Sequence, residues 1–209
     1  MMITWHLLLT IVHLCSQEDL YFHKNLFTGT IPASLGHLTN IVYFRVDGNH
    51  LTGAIPEDIF NLTNINIFHV ENNSLTGTIS NRISNLVKLE TLDLGFNSFS
   101  KTLPASIGTI EPLRHLAVQS NLLTGRMPAL LNRHLEMLFV QGNRLSGGMR
   151  EVIWSPLDTS LVHIDFSSNI FSGEVRRIRV ALLSITSYHF VTSHRHITSS
   201  HHITRHHII

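Results

Sequence analysis

The chain has 209 residues, of which 43 % are hydrophobic and 14 % are charged, with 15 basic and 14 acidic side chains. Residues 1–175 hold ten basic and fourteen acidic side chains and carry no basic stripe, so nucleic acid is not the expected partner. Its single cysteine, Cys15, excludes an intramolecular disulfide.

Residues 1–16 contain an apolar run from Trp5 to Cys15. The run is too short to span a bilayer comfortably. No Lys or Arg precedes it, and His6 and His13 interrupt it, so it departs from an ordinary signal peptide. Two interpretations stay open: a signal-like segment, or a degenerate cap that covers the open end of the repeats that follow.

Residues 17–175 repeat one pattern around an asparagine. Successive asparagines are mostly 24 residues apart, and each has apolar residues eight, five and three positions before it and two after it. A fixed period of this length predicts a solenoid whose apolar positions point inward. The predicted ladder consists of Asn25, Asn49, Asn73, Asn97, Asn121, Asn143 and Asn169.

The recurrence of asparagine has a physical reason. Each coil turns sharply after its strand, and the stacked turns leave backbone N–H and C=O groups away from water. The asparagine side chain carries both a donor and an acceptor. We therefore expect each one to bond the turn of its own coil and that of the next coil, forming a continuous internal ladder.

The second half of each unit reads LTGTIP, LTGAIP, LTGTIS, FSKTLP, LTGRMP, LSGGMR and FSGEVR. The complete unit, LxxLxxLxLxxNxLTGxIPxxLGxL, resembles the plant-type leucine-rich repeat, with arrays in diatoms among the similar proteins. The resemblance implies an α/β repeat solenoid: a leucine-rich repeat horseshoe with a concave parallel β-sheet and about seven 24-residue coils. It also implies an ectodomain of the kind found in receptor-like kinases and receptor-like proteins. Such arrays usually carry paired cysteines in flanking caps, so we expect a fragment or a short member.

Residues 176–209 carry five arginines, seven histidines and no acidic residue. This basic, low-complexity tail is predicted to be disordered, and the seventh coil before it to be poorly ordered. His202 and His206 have the spacing of two ligands on one helix face, yet the tail lacks a helical pattern. We therefore predict adventitious metal binding only, with no physiological metal site and no cofactor.

Enzyme motifs are not found in the sequence, which has no glycine-rich phosphate loop, nucleophile elbow, kinase motif or HExxH. Asp93 and Asp165 occupy equivalent strand positions, but three coils separate them, which is too far for a two-carboxylate mechanism. The prediction is a protein without enzymatic activity.

The informative surface is the concave face, because alternate strand residues point out of the core. Aromatic and Arg residues are typical interface anchors. The residues predicted to bind a partner are Tyr21, Tyr43, Arg45, His69, Glu71, Met137 and Phe139. Among these, Tyr43, Arg45, His69 and Phe139 are expected to contribute most.

The predicted function is non-enzymatic recognition of a protein or peptide on the concave face, in a receptor-like module. The alternative is a cytosolic scaffold or inhibitor of the same fold, or a truncated gene product without its kinase or membrane segment. Two glycosylation sequons begin at Asn61 and Asn72, the second expected to be less accessible. The family favours an extracellular, cell-surface location, and a cytoplasmic location stays open. Membrane attachment is expected only through a segment that is missing from this chain or degenerate in it.

Overall fold

The computed structural model describes residues 18–129, 134–148, 161–172 and 187–189. The predictions for residues 1–16, and those for His202 and His206, lie outside the described residues.

Eight short parallel strands form the larger sheet, and strands that neighbour each other in it come from successive coils. This arrangement confirms the predicted solenoid with a parallel sheet along its concave face. The strands are β1 (Asp19–Tyr21), β3 (Tyr43–Arg45), β5 (Ile67–His69), β7 (Thr91–Asp93), β9 (His115–Ala117), β11 (Met137–Phe139), β13 (His163–Asp165) and β14 (Ser187–His189).

In the larger sheet, the middle residue of every strand from β1 to β13 points into the core, while the residues on either side of it point outward. Phe44 and Phe68 are directly paired across β3 and β5, are fully buried, and stack with ring centroids 5.0 Å apart. Burial of each such side chain contributes about 1.5–3 kcal/mol, so the apolar column sets the register of the stack. The column continues through Leu20, Leu92, Leu116, Leu138 and Ile164.

A second parallel sheet of six strands lies on the far side of the asparagine turns. Sequence analysis did not predict it. Its strands are β2 (Thr28–Thr30), β4 (His50–Gly53), β6 (Ser74–Thr78), β8 (Ser98–Thr102), β10 (Leu122–Arg126) and β12 (Arg144–Ser146). Extended segments of successive coils lie at the strand spacing of about 4.8 Å and pair through their backbones.

Short 3₁₀ helices complete four of the described coils on the convex side. They span Ala33–His37, Glu57–Asn61, Asn81–Asn85 and Ala105–Thr109. Pro32, Pro56 and Pro104 precede three of them in extended conformation, where a proline loses no helical hydrogen bond. Ser80 replaces proline before Asn81–Asn85, and its hydroxyl accepts a hydrogen bond from the Arg82 N–H at 3.1 Å.

The asparagine side chains follow one bonding rule, which Asn121 illustrates. Its Nδ2 donates to the carbonyls of Val118 and Gln119 in its own coil, at 3.2 Å each, and to Leu94 in the preceding coil at 3.0 Å. Its Oδ1 accepts the N–H of Phe99 from the preceding coil at 2.9 Å. The partner coil is therefore the preceding one, not the next one as expected.

Asn25 differs from the other six ladder residues because it is exposed. Among the described residues, its Nδ2 bonds only the carbonyls of Phe22 and His23, at 3.3 and 3.0 Å. In each of the other six ladder residues, Oδ1 accepts a hydrogen bond from a backbone N–H of the preceding coil. These residues are Asn49, Asn73, Asn97, Asn121, Asn143 and Asn169.

The described residues at the C-terminal end of the structure continue the pattern of the earlier coils. The seventh coil keeps its strand, and Asn169 bonds Val140 of the preceding coil at 2.9 Å. β14 then pairs in parallel with β13, although residues 187–189 fall in the segment predicted to be disordered. The open edge of β13 offers unpaired backbone groups to which such a strand adds. The disorder of residues 176–209 stays a prediction.

Candidate functional site

Two tyrosines form an aromatic patch at the N-terminal end of the concave face. Tyr21 lies on β1 and Tyr43 on the neighbouring strand β3. Their ring centroids are 6.1 Å apart, and the ring planes are inclined by 27°. The Tyr21 ring also meets the His23 ring edge-on at 6.1 Å. Tyr21 remains 48 % exposed, so this patch offers a rigid apolar surface with hydroxyl groups at its rim.

Arg45 stands beside the patch and forms an ion pair with Asp47. Its Nε and Nη2 donate to the two carboxylate oxygens of Asp47 at 3.2 and 3.3 Å. Asp47 is only 4 % exposed. The Arg45 guanidinium is the partner that makes such a buried carboxylate tolerable, and it is thereby held in one orientation.

His69 and Glu71 come next, on β5 and just after it. Burial, followed by the nearby Arg45 charge, lowers the pKa of His69 to about 4. Burial, followed by the Asp93 charge, raises the pKa of Glu71 to about 7. His69 Nδ1 and Glu71 Oε1 are 3.9 Å apart, too far for a hydrogen bond.

Asp93 continues this cluster on β7. It is half-buried, and one of its carboxylate oxygens accepts the N–H of Gly95 at 2.9 Å. Burial raises the pKa of Asp93, and the neighbouring Asp47 charge adds to the effect, while the Gly95 hydrogen bond opposes it. The acidic residues of the cluster therefore repel one another across adjacent strands.

The predicted binding residues fall into two groups. Tyr21, Tyr43, Arg45, His69 and Glu71 lie together on the first three coils, at the ends of β1, β3 and β5. Met137 and Phe139 lie on β11, four strands from β3, which at about 4.8 Å per strand places them about 19 Å away. Both are half-buried, so they offer a second, smaller apolar area on the same sheet.

One column of the concave face carries several polar atoms that are inaccessible to solvent and have no hydrogen-bond partner among the described residues. Besides Glu71, whose Oε2 is one of them, they include Oε1 of Gln119 and of Gln141. Each residue stands two positions before a ladder asparagine. An unpaired buried polar atom costs about 1–3 kcal/mol. A bound molecule that forms hydrogen bonds to these atoms would remove this cost.

The proximity of Asp47, His69 and Glu71 was missed by sequence analysis. One ligating atom from each residue lies within 4.8 Å of the others. The residues come from two successive coils, and the period of 24 residues was the only signal that could have brought them together. The period shows which residues hold equivalent positions in successive coils. It does not show that side chains from different positions approach each other.

Both glycosylation sequons lie on the surface. Asn61 ends the 3₁₀ helix Glu57–Asn61 and is exposed, with its Oδ1 accepting a hydrogen bond from Arg82 Nη2 at 2.7 Å. Asn72 is exposed as well, and its lower accessibility relative to Asn61 stays a prediction. Among the described residues, no helix has the length and apolar character needed to cross a membrane.

Residues 88–110 match the family model described as Leucine Rich Repeat. Two stacked parallel sheets and the repeated asparagine turn define the same class of solenoid along the described chain. No curated protein matches the sequence.

Three solved plant receptor structures resemble the chain. A TDR receptor aligns with a TM-score of 0.81 and 27 % identity, over 87 % of this chain and 32 % of the other. A PEPR1–AtPEP1 structure aligns at 0.79 and 28 %, over 86 % and 26 %. The ectodomain of GASSHO1/SCHENGEN3 from Arabidopsis thaliana, in complex with CASPARIAN STRIP INTEGRITY FACTOR 2, aligns at 0.71 and 27 %, over 85 % and 24 %.

The chain therefore has the leucine-rich repeat solenoid fold that its repeat motif predicted, and it is similar to these plant receptor structures. It spans about a quarter to a third of the length of the three receptor chains.

Proposed function

We propose that the chain is a non-enzymatic recognition module that binds a peptide or another protein on its concave face. The similar structures support a peptide partner: GASSHO1/SCHENGEN3 is in complex with CASPARIAN STRIP INTEGRITY FACTOR 2, and HAESA with an IDA peptide hormone. The receptor-like role, signal transduction, membrane association and glycosylation are parts of this same proposal.

The observation that carries the proposal is the aromatic patch beside a fixed guanidinium. Tyr21 and Tyr43 are already stacked on each other, and Arg45 is held by Asp47, so binding orders few side chains. Tyrosine and arginine are the residues that most often dominate binding energy at interfaces. The carboxylates and amides farther along the sheet supply hydrogen-bond partners for the backbone of an extended ligand.

The test uses short random-sequence peptides selected on the full chain. In one variant, Tyr43, Arg45, His69 and Phe139 are each replaced by alanine. We expect this variant to bind the selected peptides at least about tenfold more weakly, since 1.4 kcal/mol is tenfold in affinity. Affinity is measured by calorimetry, and circular dichroism verifies that the variant is folded.

The matched control changes four exposed residues outside the concave sheet to alanine. These are Glu57, Arg82, Lys88 and Lys101. We expect this variant to retain the affinity of the wild type. Equal binding by the concave-face variant, or an equal loss in both variants, contradicts the proposal. Recovery of no peptide that depends on the concave face also counts against it.

A further inference from the structure

Three side chains of types that ligate metal ions converge on the concave face. Asp47 follows β3, His69 is the last residue of β5, and Glu71 stands two residues beyond it. One ligating atom from each lies within 4.8 Å of the other two. An imidazole nitrogen and two carboxylate oxygens are a ligand set that suits Zn²⁺ and related transition-metal ions.

The His69 imidazole points to a ligand independently of the carboxylates. Both of its ring nitrogens are inaccessible to solvent, and neither has a hydrogen-bond partner among the described residues. The Oε2 atom of Glu71 is in the same situation. Buried polar atoms normally have partners, so three unpartnered atoms on two adjacent side chains are an exception that a bound ion would remove.

The charges around these residues also favour a dication. Three carboxyl groups, those of Asp47, Glu71 and Asp93, lie around the single guanidinium of Arg45, which pairs with Asp47. The region is partly buried, so carboxylates there repel one another more strongly than in water. A divalent cation at this place would offset that repulsion.

We propose that Asp47, His69 and Glu71 bind a divalent transition-metal ion, with zinc as the ion that fits the ligands best. Zinc bonds of about 2.0–2.2 Å require ligand atoms closer together than 4.8 Å, so the side chains of His69 and Glu71 rotate inward on binding. Arg45 remains on Asp47 and orients this ligand, as outer hydrogen bonds do at metal sites. A water molecule completes the tetrahedron on the open side. The site does not depend on peptide binding.

Zinc titration of the full chain by calorimetry tests the proposal. The chain has sixteen histidines, so other histidines will also take up zinc, and the comparison between variants is what identifies the site. We expect the wild type to bind one more equivalent than His69→Gln. Glu71→Gln should bind that equivalent at least about tenfold more weakly. Even the loss of a residue that only hydrogen-bonds to a metal ligand lowers metal affinity by about this factor.

The matched control is His115→Gln, which removes a histidine from the same face two strands away. His115 has one carboxylate nearby, Glu136, at 3.6 Å from its Nε2. We expect this variant to keep the wild-type stoichiometry. The ring resonance of His69 in NMR spectra, assigned by its loss in His69→Gln, should shift with the first equivalent of zinc. Identical titrations for wild type and folded His69→Gln, or an unshifted His69 resonance, would mean adventitious binding only and overturn the proposal.

Discussion

A single ladder asparagine satisfies four backbone groups, and its removal should be costly. Asn121→Ala leaves the Phe99 N–H without its acceptor and takes the donor away from the carbonyls of Leu94, Val118 and Gln119. The site is buried, with Asn121 only 6 % exposed, so water does not replace all of these bonds. We expect a loss of about 2–4 kcal/mol in the free energy of unfolding, measured by urea denaturation.

Asn25→Ala is the matched control for this prediction. Asn25 has the same place in its repeat, but it is exposed, and its bonds to described residues stay within its own coil. Since water replaces exposed hydrogen bonds at little net cost, we expect less than about 1 kcal/mol. Equal losses for the two substitutions would show that the bonds between coils add nothing to stability.

The identity of the ladder residues was predictable from the sequence, whereas the backbone just before them was not. The residue preceding each ladder asparagine has a positive φ, between 53° and 67°. Only two of these seven positions, Gly48 and Gly142, are glycine, and one is Phe96 at φ 53°. The asparagine bonds and the stacked neighbours impose this conformation on residues that avoid it in isolation, so local preference gave no signal.

At the scale of the element, the convex 3₁₀ helices pack closely enough to exclude a methyl group. Gly36 lies in the helix Ala33–His37, and a Cβ added there would be 2.7 Å from Asp58 Cβ and closer still to the Asp58 backbone. In a free helix, alanine is better than glycine by about 0.5–1 kcal/mol. We expect the opposite for Gly36→Ala, a loss of about 1–3 kcal/mol through overpacking, measured by thermal and urea unfolding.

Ser84→Ala is the control, because Ser84 holds the corresponding place in the helix Asn81–Asn85. Its hydroxyl donates one exposed hydrogen bond to the Asn81 carbonyl at 3.2 Å. We expect a change within about 0.5 kcal/mol for this surface substitution. If Gly36→Ala is neutral or stabilising, the two neighbouring helices can move apart, and their contact does not limit the stack.

The second sheet shows why some elements were not predictable. β6 reads SLTGT and β10 reads LLTGR, and glycine disfavours strands in both. Gly77 and Gly125 even have φ values of 87° and 79°. The pairing arises because stacked coils bring equivalent extended segments side by side, so it depends on the neighbouring coil rather than on the segment's own composition.

At the scale of the whole molecule, the period of the sequence predicts which residues share a face but not how their side chains meet. It placed Tyr43, Arg45, His69 and Glu71 on the concave face, where they lie in the structure. It did not show that Asp47 is buried against Arg45. Nor did it show that the His69 ring nitrogens and Glu71 Oε2 have no hydrogen-bond partner among the described residues. Those properties depend on side-chain rotation within a column, which a repeat leaves undetermined.

Whether the chain enters the secretory pathway can be tested by its intact mass, because N-glycosylation adds to that mass. We expect the chain expressed in a eukaryotic cell to carry a glycan at Asn61, because this sequon lies on the convex side, away from the concave face. Intact mass spectrometry before and after N-glycosidase measures it. Thr63→Ala is the matched variant, since it removes the sequon and leaves the bond from Arg82 to Asn61 in place. Loss of the glycan in this variant assigns the site and supports the extracellular interpretation. A wild-type chain of unmodified mass contradicts the prediction and favours the cytosolic scaffold or inhibitor instead.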